Sequence, residues 1–204
     1  MNRLRDRLGM CAALAISILV GGAPAIARAE ASDVLFSAYA KMLGSRFATV
    51  TVTTDDKGRQ TRSSAEFETI ERIRITTETG GFVILPGATW MRTGSDGEWS
   101  KPPFNLGGML KQLLPQSLDE MRAQARNIRD EGEKSVGGAS LHAISYDVDM
   151  KVMTIAVSAH TTVYIDKEGR IVRSESDGVA MGKKSHTVQE TRYDPSITVT
   201  APNA

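Results

Sequence analysis

From residue 47 onward, short β-prone runs alternate with clusters of turn residues at nearly even spacing, and that rhythm restricts the chain to an antiparallel meander. Runs at 47–54, 60–69, 70–78, 82–85, 88–93 and 98–101 are separated by Asp55-Asp56-Lys57-Gly58, Thr79-Gly80-Gly81, Pro86-Gly87 and Gly94-Ser95-Asp96-Gly97. The pattern resumes after Gly137-Gly138 with 141–150, 153–159, 162–165, 170–176, 185–192 and 197–200, and Asp166-Lys167-Glu168-Gly169 reads as a hairpin turn. Within 141–150 the even positions His142, Ile144, Tyr146, Val148 and Met150 are mostly apolar, while Ser145, Asp147 and Asp149 stand between them. A strand with one dry and one wet face has this alternation.

Two stretches break the rhythm. In 33–43, Val34, Leu35, Ala38, Tyr39, Met42 and Leu43 fall on one helical face, with Ser32 as N-cap and Gly44 as stop. In 104–131, Leu106, Met109, Leu110, Leu113 and Leu114 form an i, i+3, i+4, i+7, i+8 stripe that Pro115 ends. Ser117 and Glu120 make a capping-box pair, and Leu118, Met121, Ala125 and Ile128 continue as a second helix closed by Gly132. The fold class is therefore α+β: a large curved antiparallel sheet, an incomplete β-barrel, with an N-terminal helix and a helical insertion covering the open side.

Residues 1–29 read as a signal peptide. Arg3, Arg5 and Arg7 precede an apolar run from Cys11 to Val20, Gly21, Gly22 and Pro24 break it, and Ala27-Arg28-Ala29 offers a cleavage point. The run is shorter than the roughly 20 residues that span a bilayer. The expected product is a single domain, 30–204, in the periplasm or secreted after cleavage near Ala29. The chain has one cysteine, Cys11, inside this leader and at the start of the apolar run instead of after it, so the exported part has neither a disulfide nor a lipid-acceptor thiol. With 25 basic against 24 acidic residues, no excess of positive charge points to nucleic acid.

Catalytic signatures are missing. The three histidines, His142, His160 and His186, stand in separate strand regions, and no H-E-x-x-H, G-x-S-x-G, P-loop or G-x-G-x-x-G occurs. No local spacing supports a metal, and no cofactor is expected. His142, on the dry face of its strand, reads as a hydrogen-bonded core or cavity residue. Asp147 and Asp149 share the wet face and read as a solvated surface, without the desolvation that would tune a carboxyl for catalysis. Asp55-Asp56 reads as turn chemistry.

The informative feature is apolar. Gly107, Gly108 and Pro102-Pro103 flank the 106–114 stripe, as suits a short cover. The sheet offers it Phe67, Ile73, Ile75, Phe82, Ile84, Trp90, Met91 and Trp99. With Leu106, Met109, Leu110 and Leu113 from the cover, these are the candidate ligand-binding residues, because Met and aromatic side chains suit a cavity that accepts variable acyl shapes. The same residues can equally close into a dry core.

The element order, the turn Asp96-Gly97-Glu98-Trp99-Ser100, the late hairpin Val163-Tyr164-Ile165-Asp166 with Gly169-Arg170-Ile171-Val172-Arg173, and an ending from Tyr193 to Ala201-Pro202 resemble the periplasmic lipoprotein-carrier superfamily. The resemblance is strongest to its mycobacterial-type lipid-binding lipoproteins and to the lipoprotein localisation carrier. It implies an incomplete barrel whose helices cover an apolar cavity for acyl chains. It does not place the carrier's arginine-centred lock, for which Arg62, Arg72, Arg74 and Arg92 are equivalent candidates. The expected function is a non-catalytic periplasmic carrier or binder of a lipid or of the acyl chain of a lipoprotein, in transient contact with membrane. The alternative is an envelope-sensing module that uses the same fold to bind a protein partner, for instance by strand addition.

Overall fold

The computed structural model describes residues 23–102, 117–152 and 155–203. The predicted leader up to residue 22 and the apolar stripe with Leu106, Met109, Leu110 and Leu113 lie outside the described residues.

The described chain runs α1 (Ala23–Leu43), β1 (Phe47–Asp55), β2 (Gln60–Thr69), β3 (Arg72–Thr77), β4 (Gly80–Leu85), β5 (Ala88–Thr93), α2 (Leu118–Gln124), β6 (Ala125–Val136), β7 (Ala139–Val152), β8 (Ile155–Ile165), β9 (Ile171–Ala180) and β10 (Lys183–Tyr193). All strands join one antiparallel sheet in the order β5-β4-β3-β2-β1-β10-β9-β8-β7-β6. Its two ends do not meet, so it is an open half-barrel. On a flat sheet β3 and β7 would lie about 29 Å apart, at ~4.8 Å per strand. Ile73 of β3 and Ile144 of β7 nevertheless share one core with Leu35, Phe36, Ala38 and Met42 of α1. Only a sheet curled around the helix brings them together.

Helix α1 begins at Ala23, ahead of the expected start, and stops where expected, with Gly44 N–H donating to Ala40 O at 3.0 Å. From Ala29 onward, Ala29 and Glu30 are exposed and Ala31 is buried. Ser117 caps α2 as expected, its hydroxyl accepting from the Glu120 N–H at 3.4 Å.

The expected second helix is shorter than its pattern. It ends at Gln124, and 125–136 forms edge strand β6. Ala125 and Ile128 looked helical because they are three apart. The register of β6 on β7 shifts between Arg126 and Arg129, and Asn127 turns to φ 51° there. The inserted residue converts a period of two into a step of three and still brings Ile128 to the core.

Three further expectations change. The runs at 153–159 and 162–165 belong to one strand, β8, except that 153–154 lie outside the described residues. The 98–101 run contributes a single bridge, Met91 with Ser100. The 197–200 run pairs with no strand among the described residues. Ile197 and Val199 still alternate into a buried position, but side chains hold the segment. Glu68 Oε2 accepts from the Val199 N–H at 2.9 Å, Arg72 Nη2 donates to Val199 O at 2.6 Å, and Arg46 Nη1 donates to Ile197 O at 3.0 Å. The Val199 N–H, followed by Arg72, holds the Glu68 carboxyl below its ordinary range.

Candidate functional site

Strand parity sorts the side chains of the half-barrel by chemistry. In β1 to β3 the register aligns Phe47 with Phe67 and Ile73, and Thr49 with Ala65 and Ile75. These residues face α1. Their neighbours point outward: Glu66 pairs with Arg74 at 2.8 Å and Glu68 with Arg72 at 2.9 Å. The outer face of β7 to β10 is likewise charged. Arg173 bonds to Glu175 and Glu190, while His160 bonds to Asp147 at 2.6 Å and His186 to Asp177 at 2.8 Å.

The inward face is different. Among the described residues, the inward positions of β1 from Phe47 to Thr53, of β2 to β5, of β8, of β9 from Ser174 to Gly178 and of β10 from Ser185 to Tyr193 carry no charged side chain. That face has two zones. Beneath α1 it is apolar: Phe47 stacks on Phe67 at 4.4 Å, with Ile73, Ile84, Val163, Ile165 and Ile171 around them. Toward the other end it becomes a surface of neutral hydroxyls and an amide. Thr161 meets Ser176 at 2.8 Å, Thr53 meets Thr187 at 3.1 Å, and Thr51 donates to Gln189 at 3.3 Å. The Thr191 hydroxyl is buried with no partner among the described residues.

Two tyrosines tie the helix to the far wall. Tyr39 of α1 and Tyr146 of β7 share a hydroxyl–hydroxyl bond of 2.6 Å, and burial raises both phenols above their ordinary range. Tyr193, at the end of β10, donates to Ile171 O at 3.0 Å; burial, followed by the nearby Asp166, pushes its phenol up to about 12.

The sheet divides the predicted lining set. Phe67, Ile73 and Ile84 are buried beneath α1. Ile75, Phe82 and Met91, which are cross-strand neighbours facing the same side, are only half-buried and keep apolar surface available. Trp90 and Trp99 belong to the opposite face, a correction to their expected place. Trp90 aligns with Val83, and both tryptophans pack in a second core with Ile197 and Val199. The Gly97-x-Trp99 turn explains the placement. A Cβ at Gly97 would collide with the Thr93 carbonyl, so glycine lets the turn fold back and lays the Trp99 ring against Gly81. The Arg92 guanidinium sits 5.0 Å from the centre of that ring and the Lys101 ammonium 5.3 Å from Trp90.

Other candidates are also displaced. By register Arg62, Arg72, Arg74 and Arg92 all stand on the outer face, so none of them is aimed at the concave side. His142 is not a core residue. It lies near the β6 edge at 30% side-chain exposure, with Asp130 at 3.3 Å and Glu133 at 3.7 Å. Asp147 does face outward, where Asn127 and His160 hold its carboxyl below its ordinary range. The odd positions of β7 are not uniformly wet: Ala143 and Ser145 are buried, and the Ser145 hydroxyl donates to Glu131 at 2.8 Å. Among the described residues no three His, Cys, Asp or Glu side chains stand close enough to hold a metal, and no helix is long and apolar enough to cross a membrane.

The hydroxyl zone is not among the features expected from the sequence. Its signal was the threonines and serines that alternate in 47–54 and 60–69.

No protein-family model and no curated protein matches the sequence. Solved structures do match. LprF from Mycobacterium bovis aligns over 86% of this chain and 98% of its own, at TM-score 0.56 and 13% identity. The lipoprotein LppX from Mycobacterium tuberculosis aligns over 84% of this chain and 99% of its own, at TM-score 0.58 and 10% identity. MucB in complex with MucA(peri) aligns over 81% of this chain and 57% of its own, at TM-score 0.40 and 16% identity. The open half-barrel with α1 packed on its concave face therefore shares the fold of LprF and LppX.

Proposed function

We propose that this protein is a non-catalytic periplasmic binder or carrier of a lipid or lipidated protein, and that the acyl part of the ligand lies on the concave face of the half-barrel. The observation that carries the reading is the segregation of charge. The ion pairs of β2, β3, β9 and β10 occupy the outer face, while the inward positions of β1 from Phe47 to Thr53, of β2 to β5, of β8, of β9 from Ser174 to Gly178 and of β10 from Ser185 to Tyr193 offer only apolar and neutral polar groups. Burying an ion there would cost several kcal/mol, whereas each methylene buried gains about 0.8 kcal/mol. Such a surface selects hydrocarbon without a specific polar contact. Ile75, Phe82 and Met91 are the exposed part of that surface, and Leu106, Met109, Leu110 and Leu113 are proposed to cover it.

Cleavage near Ala29 is part of this reading, and Ala29 and Glu30 are exposed. Strand addition by a protein partner is poorly served by the sheet edges. On one side β6 is doubly bulged and rich in charge, and on the other Ser100 already pairs with Met91 of β5.

The test is solvent extraction and mass spectrometry of protein purified from native envelopes, together with uptake of a fluorescent fatty acid. The expected result is a co-purifying lipid and saturable uptake. An extract without lipid, from protein that also takes up no fatty acid, contradicts the proposal.

A further inference from the structure

At the end of the sheet away from the α1 core, the described residues hold a large apolar side chain out into solvent. Met181, in the two-residue connection from β9 to β10, is 76% exposed, more than any other large hydrophobic residue among those described. It has φ 53° and Gly182 has φ 75°, and Ala180 pairs with Lys183 across them. This is the two-residue turn in which both central residues are left-handed, a position that favours asparagine or aspartate followed by glycine. Methionine is unfavourable there in backbone terms, and its side chain has no core to reach. An apolar residue in a strained, solvent-exposed position points to a use.

Its surroundings carry a small excess of positive charge, Lys57, Arg59, Lys183 and Lys184 against Asp55, Asp56 and Asp177. Lys183 and Lys184 follow it, and Lys57 is exposed on the neighbouring β1–β2 turn, which the pairing of β1 with β10 brings alongside. Of the acids nearby, Asp55 is bound by Arg59 at 2.6 Å and Asp177 by His186 at 2.8 Å, while Asp56 lines a groove with Lys184 between the two turns. The opposite end is the one on which α1 packs. There the β8–β9 turn meets α1 through Lys41, whose ammonium donates to Glu168 O at 2.5 Å.

We propose that the Met181–Gly182 tip docks its end of the half-barrel onto an anionic lipid bilayer, with Met181 entering the headgroup region and Lys183 and Lys184 contacting lipid phosphates. A single apolar apex on a two-residue turn buries far less than the roughly 800 Å² per partner of a stable protein interface. It matches shallow insertion, in which apolar side chains enter the interface and lysines remain with the phosphates. The proposal rests on the lipid-binding reading for its purpose, because it sets the hydroxyl end of the concave face toward the membrane.

The experiment places an environment-sensitive fluorophore on the full chain at Met181→Cys in a Cys11→Ser background. The same label at Lys167→Cys, at the end on which α1 packs, is the reference. Vesicles of phosphatidylglycerol with phosphatidylethanolamine are compared with phosphatidylcholine alone. A blue shift and rise in emission at 181 on the anionic vesicles is expected, with little change at 167 and loss of the response when Lys183→Glu and Lys184→Glu are added. No shift at 181, an equal shift at 181 and 167, or a shift that survives the charge reversal overturns the proposal. Acyl content is read on the same preparation by solvent extraction, so a lipid-free protein that still inserts at 181 would refute the ligand reading and not the docking.

Discussion

Ile75→Glu is expected to abolish uptake of a fluorescent fatty acid, while Thr76→Glu, the next residue in β3, leaves uptake unchanged. Ile75 is half-buried on the concave face, aligned with Ala65 and Phe82. Thr76 is exposed and aligned with Ser64 and Gly81 on the outer face. A carboxylate at 75 would have to be desolvated by any acyl chain laid across it, at a cost of several kcal/mol, which outweighs the gain from several methylenes. At 76 the same charge stays in water. Circular dichroism of both variants distinguishes a lost site from a lost fold. Equal effects of the two substitutions would mean that the ligand does not distinguish the faces of the sheet.

The second large effect is on stability. Phe47→Ala is expected to destabilise the protein by about 3–5 kcal/mol, the usual range for emptying an aromatic site in a packed core. Phe47 is 2% exposed, stacks on Phe67 at 14° between ring planes, and lies 6.2 Å from the ring centre of Tyr193. It therefore joins β1, β2 and β10 where the sheet closes on α1. Chemical denaturation gives the value directly. A loss under about 1 kcal/mol would show that this end of the half-barrel is not a close-packed plug.

The architecture was legible where local chemistry decides it. Turn clusters located most of the strands, and Gly44 located the end of α1. What escaped was set by residues distant in sequence. The segment ending in Val199 reads as a strand because Ile197 and Val199 alternate. Its partners are the side chains of Arg46, Glu68 and Arg72, which no local pattern reveals. The step from Ala125 to Ile128 imitates a helix because a bulge hides in it.

The candidate site was half legible for a related reason. Trp90 and Met91 are adjacent, so a strand must send them to opposite faces. Which face meets α1 depends on register with Val83 and Phe82, and that emerges only from the assembled sheet. Composition pooled the aromatic residues into one lining; the fold assigns the two tryptophans to the outer core and Ile75, Phe82 and Met91 to the concave side.

Acyl chains are proposed to occupy the concave face. The most direct measurement is photo-crosslinking with a diazirine-bearing fatty acid, followed by peptide mass spectrometry. Adducts are expected on the strand segments carrying Ile75, Phe82 and Met91, placed on those residues by fragmentation, and none on Arg74, Trp90 or Trp99. Adducts concentrated on the tryptophan face, or spread evenly over both faces, would contradict that placement.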